Sequence, residues 1–115
     1  MTSAKEFYLA IAQETGLQTQ RAFWDEARHG KKPDSYFVWR LSTADEDIES
    51  DNESEHYSLS YAVSVYTKTD NLDTLCAQVE SAVENLGAYA TRQQYEDYEK
   101  DTGYFHGEMT VTRIF

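Results

Sequence analysis

The chain has 115 residues, 40% of them hydrophobic and 14% aromatic with nine tyrosines, which is enough apolar surface for one core and too little chain for two. Ten basic residues against 21 acidic ones give a formal charge of −11. That balance argues against gripping a phosphate backbone, because counterion release needs clustered Lys and Arg. It suits a surface past which DNA slides without sticking, or one that meets a basic protein.

Cys76 is the only cysteine, so the sequence offers neither an intrachain disulfide nor a thiolate zinc cluster. The opening residues, MTSAKEFYLAIAQ, lack the charged and apolar regions of a secretion signal, and no apolar run is long enough to cross a bilayer. The expected location is the cytosol, with no membrane partner.

Ser3 followed by Glu6 has capping-box spacing, and Phe7, Ala10 and Ile11 form the apolar stripe of a short helix, about Ala4 to Thr15, that Gly16 ends. Leu17 to Trp24 predicts a short edge strand, and DEARHGKKPDS a loop. In YFVWRL, Phe37, Trp39 and Leu41 share one face of a strand and Tyr36 and Val38 the other. Residues 43–55 follow, and between Asp45 and Glu55 they bring seven acids, Asp45, Glu46, Asp47, Glu49, Asp51, Glu53 and Glu55, around the single aliphatic Ile48. Nothing in that composition packs, so it predicts a mobile acidic hairpin tip.

From Tyr57 to Thr67 the alternation is clean: Tyr57, Leu59, Tyr61, Val63 and Val65 face one way, Ser58, Ser60, Ala62 and Ser64 the other. Asp70 is placed to cap a helix carrying Leu72, Leu75, Cys76, Val79, Ala82, Val83 and Leu86 on one stripe, closed by Gly87. AYATRQQY predicts a weak strand, Glu96 to Gly103 a polar turn, and Tyr104 to Phe115 a last strand with Phe105, Met109, Val111 and Phe115 inward. The expected order is α-β-β-β-α-β-β: an α+β fold of one domain, residues 1–115, whose mostly antiparallel sheet of four to five strands is covered by two helices.

Candidate chemistry is sparse. His106 and Glu108 are neighbours on the polar face of the last strand, but an acid–base pair needs a nucleophile or substrate and a burial-tuned pKa, and the sequence supplies neither. KDTG, Lys100 to Gly103, reads as a turn. His29, His56 and His106 have no metal-binding spacing, and the acids of residues 45–55 lack the glycine and ligand pattern of a calcium loop. No phosphate-binding glycine loop or nucleophile elbow occurs, so the sequence predicts no catalytic residue, no metal and no cofactor. Aromatics outside the core periodicity are numerous, and tyrosine and tryptophan are enriched where proteins meet, so a docking or oligomer surface is expected.

The order of elements, with PDSYFVWRL, YAVSVYTKTDN, VENLGAY and YEKDTGYFHGEMTV, resembles the small tail-terminator or tail-completion proteins of long-tailed bacteriophages and prophages. The resemblance implies a non-enzymatic structural protein that caps the tail tube as a ring, typically a hexamer, and helps join tail to head. Its implied partners are copies of itself, the tail-tube protein and a head-completion protein, in the bacterial cytoplasm during assembly and then in the virion tail. On this reading the acids of residues 45–55 face the lumen or a neighbouring subunit. Trp24, Tyr36, Trp39 and Tyr66 contribute contacts, and the small face of Ser58, Ser60 and Ser64 lets another chain approach closely. The alternative is a small acidic adaptor or DNA mimic; concentration of the acids in one tip makes poor mimicry. An enzyme using His106 with Glu108 ranks behind both.

Overall fold

The computed structural model describes residues 2–48 and 55–115, with side chains placed for residues 2–44 and 57–115. Helix α1 (Ala4–Thr15) begins as its capping box requires: Ser3 is extended, its hydroxyl accepts from the Glu6 N–H, and Gly16 ends the helix at φ 75°. Strand β1 (Gln18–Arg21) follows, then a single helical turn α2 (Glu26–His29), where only a loop was expected. That turn is capped by Asp25, whose carboxylate accepts from the Ala27 N–H.

Strands β2 (Ser35–Ile48) and β3 (Glu55–Thr67) form a long antiparallel hairpin. Helix α3 (Leu72–Asn85) returns to the last pair, β4 (Tyr89–Glu99) and β5 (Tyr104–Ile114). The sheet order is β1-β2-β3-β5-β4, with β1 parallel to β2 and the other neighbours antiparallel. The fold is α+β.

Both long helices lie on one face of the sheet. Phe7, Tyr8 and Ile11 of α1, and Leu72, Cys76, Val79 and Val83 of α3, close over Phe37, Trp39, Tyr61, Val63, Val65, Met109 and Val111. Each fully buried aliphatic or aromatic side chain contributes about 1.5–3 kcal/mol of burial free energy. Gly107, mid-strand in β5, leaves room for α3: a Cβ there would come within 3.2 Å of Cys76 Sγ and of the Gln94 carbonyl oxygen.

Several further sequence expectations change. Asp70 does not cap α3; Asn71 holds that position without a side-chain cap bond, its Oδ1 instead accepting from the Thr67 and Thr69 hydroxyls at 2.9 and 2.5 Å. Strand β4 continues to Glu99, so the turn shrinks to Lys100–Gly103, with Gly103 at φ 77°. RQQYEDYE carries no apolar alternation because β4 is an edge strand, held by backbone pairing to β5 and interrupted by register breaks between Arg92 and Gln94 and between Gln94 and Asp97.

The hairpin also stays paired further than its acids suggest. After a bulge between Leu41 and Thr43, the ladder runs to Ile48 opposite Glu55; backbone pairing there does not depend on apolar side chains. Residues 43–48 and 55 are therefore paired strand, and the rest of the expected tip, 49–54, lies outside the described residues. Finally, Leu41 and Tyr57 fall beyond the reach of the helices and are exposed, although their faces were assigned correctly.

Candidate functional site

The face of the sheet opposite the long helices is divided. At one end Trp24, Tyr36, Val38 and Tyr104 form a second buried cluster, with Tyr66 packed beside it. The segment around α2 supplies its cover: Trp24 Nε1 donates to the Gly30 carbonyl at 2.9 Å, and the Tyr104 hydroxyl donates to the Pro33 carbonyl at 2.6 Å. Tyr36 and Tyr66 stack with ring centroids 5.0 Å apart. Burial, and then the neighbouring Tyr66, Tyr104 and Glu99, push the Tyr36 phenol well above its usual range. Burial and the Glu99 and Glu108 carboxylates raise Tyr66 in the same way.

Beyond this cluster the face is low and polar. Ser60 and Thr112 hydroxyls lie 3.1 Å apart and the Ser64 hydroxyl donates to Glu108 at 3.3 Å. Ser58, Ser60 and Ser64 are half-buried between neighbouring strands, the small-residue surface expected from the sequence.

Trp24, Tyr36 and Trp39 do not fit their expected role as contact residues. They are 7%, 4% and 5% exposed because the first two fill the second cluster, while Trp39 stacks on Tyr8 in the main core at 4.6 Å between centroids. Tyr66 is half-buried beside the cluster. The exposed aromatics among the described residues are Phe23, Tyr57, Tyr89, Tyr95, Tyr98 and Phe115, three of them on edge strand β4. The signal that separates the two groups is strand position, which sequence periodicity alone does not carry.

His106 is better enclosed than a solvated strand face implies. Its ring tilts against Tyr66 with centroids 5.2 Å apart, and its Nδ1 lies 3.4 Å from a Glu99 carboxylate oxygen and 3.9 Å from one of Asp97. No hydrogen bond reaches that nitrogen. The acids that approach it come from β4, whereas Glu108, the expected partner, turns to Ser64. Counting outward from the Lys100–Gly103 turn places Asp97 opposite His106, so hairpin register is the signal that finds this neighbour. An open groove of about 240 Å³, lined by Phe23, Trp24, Lys32, Tyr36, Tyr66 and Glu99 among others, runs past the same end. The arrangement brings an imidazole to two carboxylates. Among the described residues, no three His, Cys, Asp or Glu side chains converge as a metal site.

A second surface lies between α1 and β1. Lys5 and Leu9, one helical turn apart, line a groove of about 270 Å³ with Thr19, Gln20, Arg21 and Trp39. The Arg21 guanidinium sits 5.3 Å from the Trp39 ring centroid, Leu9 is exposed, and the Thr19 hydroxyl is buried without a hydrogen-bond partner. The groove is thus apolar at its floor, cationic at its rim and has one unsatisfied hydroxyl.

The remaining charged and thiol groups of the covered face are structural. Arg92 spans from β4 to α3, pairing with Glu80 and with Asp73 at 2.9 Å. Arg113 is held between the Phe7 and Phe115 rings, 4.4 and 4.7 Å from their centroids, and donates to the Thr2 carbonyl. Cys76 is wholly buried, and burial pushes its thiol up to about 11.

No family model matches the chain, and no curated protein matches it significantly.

Proposed function

We propose that this protein is a non-enzymatic assembly subunit of a phage or prophage tail, of the tail-terminator or tail-completion kind, which caps the tail tube as a ring and helps join it to the head. The observation that carries this reading is the polar face of the sheet. Over Ser58, Ser60, Ala62 and Ser64 neither long helix covers it, and its side chains are small enough for another backbone to approach closely. The hairpin projecting from the same sheet gives the molecule a long axis of 53 Å against 28 and 23 Å, a shape suited to reaching a neighbour. The four sequence signatures resembling tail terminators supply the biological context, and the formal charge of −11 suits a lumen through which DNA passes without binding.

The test is assembly. Native mass spectrometry and negative-stain microscopy of the purified protein, alone and with a phage tail-tube protein, are expected to show a closed ring or decoration of tube ends. A monomer at every concentration, with no binding to tube, overturns the proposal. Retention on a basic host protein that salt abolishes, without self-association, would establish the acidic adaptor instead.

A further inference from the structure

Helix α1 and strand β1 form the two walls of an open groove, and both walls carry groups that the fold itself leaves unused. On α1, Leu9 stands outside the stripe of Phe7, Tyr8 and Ile11 and is 47% exposed, with Lys5 one turn before it. The two carboxylates of this helix have partners of their own: Glu6 accepts from the Ser3 hydroxyl, and Glu14 accepts from the Asn85 amide of α3 at 2.8 Å. On β1, Arg21 lies over the Trp39 ring and the Thr19 hydroxyl is buried without a partner. In a chain of formal charge −11 this groove is lined by two cations and no carboxylate. Neither Lys5 nor Arg21 forms an ion pair among the described residues.

One wall is also an open sheet border. Among the described residues β1 pairs only with β2, and it has no bulge, proline or acid, in contrast to the broken border at β4. The outward N–H and C=O groups of such a strand are a template for one more strand.

The side chains of the two walls set what that strand must carry. Helix α1 ends at Gly16 and β1 begins two residues later, so both elements can be measured from the same turn. At about 1.5 Å per helical residue and about 3.3 Å per strand residue, Leu9 and Thr19 both lie about 10 Å from Gly16, and Lys5 and Arg21 both lie about 17 Å from it. The groove therefore has an apolar level and a cationic level about 7 Å apart, which is the spacing of two residues on the same face of an extended strand.

We propose that the α1–β1 groove docks an extended segment of a partner protein by strand addition to β1, with an apolar side chain beside Leu9 and a carboxylate two residues away between Lys5 and Arg21. Backbone bonds to β1 supply affinity that is indifferent to sequence, and the two levels of the groove supply the specificity. The occupant is acidic because the lining offers cations alone, and it is extended because the wall it meets is a strand edge. The site is complete in one chain, so it goes beyond the ring reading and stands whether or not copies close into a ring.

Peptide titration followed by amide NMR of the nitrogen-labelled full chain tests it. The probe is acetyl-Glu-Thr-Leu-Thr-Glu-amide, whose acids share a face with the leucine and meet the cations in either strand direction. Its isomer acetyl-Thr-Glu-Leu-Glu-Thr-amide has the same composition and charge with the acids on the opposite face, and acetyl-Lys-Thr-Leu-Thr-Lys-amide reverses the charge. The probe is expected to bind with a dissociation constant below about 1 mM, at least about tenfold tighter than either control. Its shifts should centre on the amides of Lys5, Leu9 and Gln18 to Arg21. Lys5→Glu with Arg21→Glu, both at exposed positions, should keep the spectrum of the folded chain and weaken the probe about tenfold. Equal binding of probe and isomer, shifts centred elsewhere, indifference to the two reversals, or no shift with the probe overturns the inference. Broadening of the same amides as the protein alone is concentrated, without a response to the probe, gives the groove to a second copy and overturns the partner assignment.

Discussion

The two faces of the sheet are built from the same strands and solve different problems. The helix-covered face fills the middle of β2, β3 and β5 with apolar side chains such as Phe37, Val63, Val65 and Met109, which are almost completely excluded from solvent. The opposite face packs aromatics only where the α2 segment folds back over it, and elsewhere presents hydroxyls and carboxylates to the surroundings. The contrast divides the labour of the sheet: one face is committed to holding the fold, and little of the fold depends on the other.

Alkali should strain both faces most. Tyr8 under the helices and Tyr36 in the second cluster both have phenol pKa values raised by burial. A raised folded-state value means that the neutral phenol stabilises the fold fully below its unfolded pKa near 10, and that this stability is lost as pH climbs beyond it. Each such group then removes about 1.4 kcal/mol per pH unit. Urea midpoints measured from pH 7 to 11.5 should be level up to about pH 9 and fall steeply above 10; a level profile throughout would mean that neither phenol is enclosed.

Truncating Phe37 to alanine on the covered face should cost about 4 kcal/mol in urea unfolding, because the site is surrounded and cannot collapse. The second cluster should yield less to a gentler change: Tyr104→Phe removes the hydrogen bond to the Pro33 carbonyl and should cost about 1 kcal/mol. Ser60→Ala on the open face should alter stability by less than about 0.5 kcal/mol. A loss there as large as that of Phe37→Ala would erase the distinction between the faces.

Much of this architecture was legible in the sequence, and the reason is periodicity. The stripes of α1 and α3 and the alternation in β3 and β5 follow directly from side chains that must be buried on one side, and the structure buries most of them as expected. The paired extension of β2 through its acids and the length of β4 were not legible, since those segments are held by backbone bonds to a neighbour and carry no apolar pattern. The same limit explains the site. Trp24 and Tyr36 resembled spare aromatics in one dimension and Trp39 a contact residue, yet all three are filling for cores assembled from distant segments. The carboxylates beside His106 come from another strand, so only the hairpin register brings them into view.

The two register breaks in β4 have a consequence for how copies of this chain keep apart. A sixth strand approaching that border would meet donors and acceptors at mismatched intervals, and the usual route to amyloid-like stacking, sheet added to sheet, is interrupted there. The β4 border is thereby guarded against strand-by-strand extension of the sheet.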